Sequence, residues 1–316
     1  MKKEIKTYSR LIKIQDIKKI AMKSLDITSK TFDENFHKAP PPPKKNISDG
    51  LGAYGGGKSG RRWITPSADA LVEQWYQARN TGWLYSHPDY FWEGLACSHS
   101  TSAPMVASNF VTELKYPRYD RHESYDIKNL EWKIFDWGAG VGLTTALMAS
   151  NMPNSTFYYV ATPCSRESAF FRELVQFLDL KNITFLSSLD EVPDDLDALV
   201  GIEIVEHFQK PMKFLQPILD KVKVGGLFAH SSYWEAEAKM PTLGHFTSYD
   251  FDEAGNAYLP PKGKKNSIGR TFRNVMKARG WEHLDWDPWA HKPRFYKKNR
   301  TLERASTTKE FIDACH

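Results

Sequence analysis

Between Trp132 and Thr145 the chain reads Trp-Lys-Ile-Phe-Asp-Trp-Gly-Ala-Gly-Val-Gly-Leu-Thr-Thr. An apolar run (Trp132, Ile134, Phe135) leads to Asp136, glycines follow at alternate positions 138, 140 and 142, and Leu143 to Met148 begins a helix. The order strand, acid, glycine turn, helix brings a backbone close to a bulky polar ligand at the carboxyl end of a central strand. Glycine is needed there because a Cβ would block the approach and because φ > 0 must be accessible. The spacing Asp-x-Gly-x-Gly-x-Gly is not the dinucleotide spacing Gly-x-Gly-x-x-Gly.

From about residue 127 strands and helices alternate. Apolar and β-branched runs predict strands at 157–161, 183–186, 196–204 and 227–233. Helical periodicity predicts helices over 165–178, over 212–222 (closed by Gly225-Gly226) and over 267–278 (ended by Gly280). Two short strands are expected near 282–285 and 294–297. This alternation implies a parallel sheet covered on both faces, with ligands at the strand C-termini. Together with this order, the Asp136–Gly142 turn resembles the first motif of the class I S-adenosylmethionine-dependent methyltransferases. The resemblance covers residues 127–298 and implies an α/β fold with a Rossmann-like seven-stranded sheet, its seventh strand antiparallel, preceded here by an N-terminal helical/loop extension.

That extension divides in two. Residues 1–62 form a basic arm, with an amphipathic stretch through Ile12, Ile14, Ile17 and Ile20, and a Pro/Gly-rich linker after it. The linker segment Gly52 to Ser59 matches the phosphate-loop pattern G-x-x-x-x-G-K-S, but no apolar strand precedes it and no convincing helix follows, so it lacks the context of a nucleotide site. Residues 63–126 form a helical cap with an aromatic layer (Trp83, Tyr85, Tyr90, Phe91, Trp92), which packs the cap onto the main domain or lines an acceptor pocket. Residues 299–316 are a tail.

With 316 residues, 41% hydrophobic and 26% charged, the chain is of the soluble globular class. It has no run long and apolar enough for a membrane span, and its basic N-terminus lacks the features of a secretory signal. Three scattered cysteines (Cys97, Cys164, Cys315) fit a reducing compartment, and a cytoplasmic enzyme is expected. Residues 1–62 carry a balance of +9 and residues 261–316 one of +8, which leaves the middle at −12 within a total of +5. Basic ends on an acidic body fit contact with a polyanion, or simply solvated termini.

The resemblance implies that Asp136, Trp137, Gly138, Ala139, Gly140 and Gly142 surround the methionine end of S-adenosyl-L-methionine. The family usually has an acid after the second strand for the ribose hydroxyls. Here that strand ends Val160-Ala161-Thr162-Pro163 and the first acid is Glu167, so either Thr162 substitutes weakly for the acid, or Glu167 reaches back, or cofactor affinity is reduced. Ser188 and Leu189 fall where the family approaches adenine, and Glu203 faces the cofactor.

On the acceptor side the fourth strand runs into Glu203-Ile-Val-Glu206-His207. The Asn-Pro-Pro-Tyr type of base amino-methylation motif is absent, as is a Pro-Cys nucleophile at this position. Glu-x-x-Glu-His followed by a later His resembles metal-dependent O-methyltransferases acting on RNA 3′ ends or catechol-like rings. That likeness implies Glu203, Glu206, His207 and His245 as ligands of Mg²⁺ or another divalent ion that lowers the acceptor hydroxyl's pKa. Two metal-free readings stand beside it, His207 as a general base or His207 as a purely structural residue, and the catalytic candidates are His207 and Glu206. The expected function is methyl transfer to a hydroxyl of a nucleic acid or nucleotide, or of a small hydroxylated metabolite, with no membrane partner and the oligomeric state open. The alternative is a non-catalytic subunit of this fold that binds RNA or a protein.

Overall fold

The computed structural model describes residues 12–36, 88–115, 124–232, 249–251, 257–258, 267–284 and 294–300. Its seven-stranded sheet comprises β1 (Lys133–Asp136), β2 (Thr156–Val160), β3 (Ile183–Leu186), β4 (Leu196–Ile202), β5 (Val222–Ser231), β8 (Trp281–His283) and β9 (Arg294–Lys298). The order across the sheet is β3-β2-β1-β4-β5-β9-β8. The expected seventh strand is β9, antiparallel to β5. A separate two-stranded ribbon pairs β6 (Tyr249–Asp250) with β7 (Ala257–Tyr258). The fold is therefore the α/β class expected for the methyltransferase sheet, with sequence order reversing between β1 and β4.

By contact density the chain forms two compact units, residues 1–131 with 139–191 and residues 132–138 with 192–316. The first contains the N-terminal helices. α1 (Ile14–Leu25) buries Ile17, Ile20 and Ala21, and α2 (Ser29–Phe36) buries Phe32 and Phe36. Lys18 and Asp33 join the two at 2.6 Å. α1 also reaches α6 (Arg166–Phe177) through the Lys23–Glu173 ion pair. The amphipathic stretch is thus a docked helix. In α3 (Pro88–Cys97) the Phe91 ring meets Phe170 of α6 edge-on at 6.0 Å, and Trp92 meets Phe32 at 5.9 Å. A π-helical run (Ser98–Ala107) and α4 (Ser108–Lys115) complete this layer. Phe91 and Trp92 hold the cap together, and Trp83 and Tyr85 lie outside the described residues.

Also in this unit, α5 (Leu143–Asn151) is buried almost throughout, and β2 pairs with β3 in parallel. Asn182 ties the connections together, its amide donating to the carbonyls of Ala149, Met152 and Ser155. Ser165 caps α6 by accepting from the Ser168 amide at 3.1 Å.

In the second unit β4 and β5 carry the core, with Leu196, Ala198, Leu199, Val200, Phe228 and Ala229 all inaccessible. α7 (Pro211–Asp220) starts with proline at its first position, as proline's missing N–H allows. Its end departs from the sequence expectation. The helix stops at Asp220, and Gly225-Gly226 lie inside β5, which begins at Val222. Gly225 there has φ +84°, so the glycine pair bends a strand rather than closing a helix. α8 (Ser267–Ala278) buries Ile268, Phe272, Val275 and Met276, an i, i+4, i+7, i+8 stripe. Among the described residues no helix is long and apolar enough to cross a membrane.

Candidate functional site

At the end of β1, Gly138, Gly140 and Gly142 have φ of +72°, +53° and +73°, the left-handed region where glycine is favoured. A Cβ on Gly138 would stand 2.6 Å from Ile204 Cγ1, and one on Gly142 would overlap the Phe171 ring. The glycines are thus required by conformation and by space. Asp136 is buried at the tip of β1, opposite Val200 of β4. The next amide, of Trp137, donates to the Val200 carbonyl at 2.8 Å. Asp136, Trp137 and Gly138 therefore line the carboxyl ends of β1 and β4, where the strand order reverses.

From Ala139 onward the turn belongs to the first unit. The Tyr159 hydroxyl, on β2, donates to the Gly140 carbonyl at 2.9 Å and lies 3.4 Å from Ser168 Oγ. Tyr159 supports the turn from beneath, and its only signal in the sequence is strand alternation. Thr162 is exposed past the end of β2, Ser188 is half-buried past β3, and Leu189 is 44% exposed. Glu167, the first acid after β2, sits in the first turn of α6, where burial pushes its carboxyl up.

At the end of β4 the chain turns through Glu203, whose φ is +50°, into a 3-10 turn at Val205–His207. Glu203 donates its amide to the Ser231 carbonyl at 2.8 Å and accepts from the Ser231 hydroxyl at 2.8 Å, and the residue is half-buried. Glu206 is 0% exposed. Burial pushes its carboxyl well above the carboxylate range, and the neighbouring Glu203 charge adds to this. The Glu206 side chain is hydrogen-bonded to Glu203 and Ser232, an arrangement that favours its neutral form. The buried Tyr249 hydroxyl donates to the Glu206 carbonyl at 3.1 Å. His207 is buried beside it. Phe208 stacks between Trp137, at 5.5 Å and nearly parallel, and Phe214 of α7, at 4.6 Å. No spacing rule picks these rings or Ser231 out of the sequence, because the residues they join are so far apart in it.

The structure thus brings Glu203, Glu206 and His207 together on one turn with Asp136–Gly138 at the adjacent strand end. Among the described residues no group of three or more His, Cys, Asp or Glu side chains is arranged to hold a metal ion. His245 lies outside the described residues. A divalent ion bound there would have to displace the proton that burial and the Glu203 charge favour on Glu206.

His230 on β5 is buried, stacks on Phe272 at 4.8 Å and lies 2.7 Å from the Ser232 hydroxyl through Nε2. Burial pushes its pKa well down, and Arg294 and His283 add to that, so it is neutral.

No family model matches the chain, and no curated protein matches it. Solved structures do. LaPhzM is 15% identical over 73% of this chain and 68% of that one, with a TM-score of 0.47. A SAM-dependent methyltransferase from Aquifex aeolicus is 15% identical over 60% of this chain and 95% of that one, with a TM-score of 0.37. A SAM-dependent O-methyltransferase from Thermotoga maritima is 14% identical over 63% and 66%, also at 0.37. In two further matches the chain spans 57% and 45% of the other protein's length. The fold assignment rests on the strand order itself.

Proposed function

We propose that the protein is an S-adenosyl-L-methionine-dependent methyltransferase acting on a hydroxyl group. The observation that carries this is the Asp136–Gly142 turn, with its three left-handed glycines at the point where strand order reverses. Ligands of open α/β sheets bind at such a switch point. When bound, the cofactor supplies an electrophilic methyl group on a sulfonium sulfur. The chain's part is positioning. The glycine turn lets the backbone pass close to the methionine moiety, and the half-buried Glu203, fixed by Ser231, presents acceptor oxygens to hydroxyl or amine donors. Thr162 takes the ribose position with a single hydroxyl, and Ser188 and Leu189 border the adenine. His207 would accept the acceptor hydroxyl's proton as the oxygen bonds to the methyl carbon and the methyl–sulfur bond breaks, its electron pair staying on sulfur to leave the neutral thioether. Glu206, fully buried behind Glu203 and Ser232, holds the turn's shape.

Titration calorimetry with S-adenosyl-L-methionine and with S-adenosylhomocysteine tests the reading: both bind if it holds. Failure of both to bind would instead favour a non-catalytic subunit of this fold, to which the missing ribose acid points. Transfer of labelled methyl groups into a cell extract, separated into nucleic acid, protein and small molecules, identifies the acceptor. Activity abolished by a chelator and restored by Mg²⁺ would overturn the metal-free form.

A further inference from the structure

α8 and β9 bring three arginines to the carboxyl end of β5. Arg270 and Arg273 are three residues apart on α8 and so are neighbours on its surface. Arg294 opens β9 in register with His230 of β5. Phe272, adjacent to Arg273, stacks on His230 and meets the Tyr296 ring edge-on at 6.3 Å. α8 therefore lies over the sheet face that carries Tyr296 and, two residues before it in the strand, Arg294. Arg273 and Arg294 are half-buried and Arg270 is exposed. Among the described residues none of the three has an ion pair or hydrogen bond. They act on one another instead. Burial first, then the Arg294 charge, then that of Arg270, hold Arg273 below its ordinary value.

Beside them is an unsatisfied donor. The Tyr296 side chain is 1% exposed and its hydroxyl has no hydrogen-bond partner. Burial pushes its pKa up, so it stays a neutral O–H, and the nearby Arg294 and Arg273 charges oppose that shift. Like charges gathered without a counter-ion and a buried O–H without an acceptor are each destabilising. One group relieves both: an oxyanion with several acceptor oxygens. Guanidinium forks match phosphate and carboxylate geometry, and three of them exceed the single charge of a carboxylate.

We propose that Arg270, Arg273, Arg294 and the Tyr296 hydroxyl form a recognition site for a phosphate group carried by the methyl acceptor. That the phosphate belongs to the acceptor rests on the methyltransferase reading; the anion site does not. The cluster is on the acceptor side. His230, in register with Arg294, reaches Ser232, and Ser232 reaches Glu206 on the catalytic turn. A phosphate held here orients the acceptor at the β4–β5 end of the sheet.

The test is calorimetry on the full chain with inorganic phosphate, adenosine 5′-monophosphate, adenosine, and a single-stranded oligonucleotide with and without a 5′-phosphate. One saturable phosphate site is expected, weakened about 10-fold or more in Arg273→Gln/Arg294→Gln and less in Arg273→Lys/Arg294→Lys, which keeps the charge but not the fork. Lys181→Gln, at an exposed lysine of the first unit, controls for general charge. Binding of the monophosphate but not adenosine marks a terminal phosphate. Equal binding of both oligonucleotides, lost in the Gln variant, marks a backbone phosphate. No saturable phosphate binding, or binding equally strong in the Gln variant with its melting temperature retained, overturns the site. S-adenosylhomocysteine titrated in parallel separates the two ideas: phosphate binding without it leaves the anion site and removes the methyltransferase reading, and the converse does the reverse.

Discussion

Ser231 and Glu203 are tied to each other twice, by the Glu203 amide on the Ser231 carbonyl and by the Ser231 hydroxyl on the Glu203 carboxylate, each at 2.8 Å. The pair holds a glutamate in a left-handed backbone conformation that costs on the order of 1–3 kcal/mol. Strain of this kind persists only where neighbours impose it, and here it holds the carboxylate against Ser231 and Glu206 at the end of β4. Ser231→Ala keeps the strand but removes one tie to a charged group, so a loss of about 1–2 kcal/mol is expected in urea unfolding. S-adenosylhomocysteine affinity should fall with it. An unchanged unfolding midpoint and affinity would show that the strand alone sets the carboxylate.

Lys298 offers a sharper stability test. Its ammonium is buried and donates to the carbonyls of Leu219 (3.1 Å), Asp220 (3.2 Å) and Val222 (2.6 Å), at the C-terminus of α7. A cation there satisfies orphan carbonyls and complements the helix dipole. Lys298→Met keeps the stem and strips the donors, and a loss of about 3 kcal/mol is expected from chemical denaturation. A loss below about 1 kcal/mol would mean that water replaces the ammonium.

The contrast between these residues shows what the sequence could reveal. The glycine turn, the strand–helix alternation and the docking face of α1 are legible because each is a local pattern of spacing. The Gly225-Gly226 pair reads as a helix stop because the same glycines serve equally well there and in a bent strand, and only the pairing of Val222 with Leu196 decides for the strand. Tyr159 beneath the turn, Ser231 on Glu203, Lys298 on α7 and the Trp137–Phe208–Phe214 stack join positions set by sheet order. No rule of spacing finds them. Glu-x-x-Glu-His is legible as a pattern, but the burial that pushes the Glu206 carboxyl up is set by tertiary packing, which no spacing shows.

His230 predicts an acid-side stability loss. It is neutral in the folded protein because burial, Arg294 and His283 disfavour its charge. In the unfolded chain its pKa is about 6.5. Below that value the unfolded state binds the extra proton, so its share of stability is present above about pH 6.5 and lost as pH falls toward the depressed folded pKa, by up to about 1.4 kcal/mol per pH unit. His230→Phe keeps a ring against Phe272 and removes the titration. Urea unfolding between about pH 5 and 7 should show a shallower slope in the variant than in the parent, and parallel slopes would disprove the assignment.

Two glycines with similar φ separate strain from space. Gly225, at φ +84°, has nothing within 4 Å of the point where a Cβ would stand, whereas at Gly142, with φ +73°, that carbon would be driven into Phe171. Gly225→Ala therefore carries only the backbone penalty, about 1 kcal/mol, read as a small fall in the unfolding midpoint. Gly142→Ala carries the same penalty plus displacement of a fully buried ring between Tyr159 and Phe185. Overpacking of this kind adds about 1–3 kcal/mol and pulls the turn off the Tyr159 hydroxyl. The expected result is a larger stability loss than at Gly225 together with S-adenosylhomocysteine binding weakened about 10-fold or more, since about 1.4 kcal/mol lost from the bound state suffices. Phe171→Leu in the Gly142→Ala background makes room for the methyl group. It should restore part of the stability, and binding only as far as the turn recovers its shape. A double variant no better than Gly142→Ala would place the defect in the backbone conformation alone.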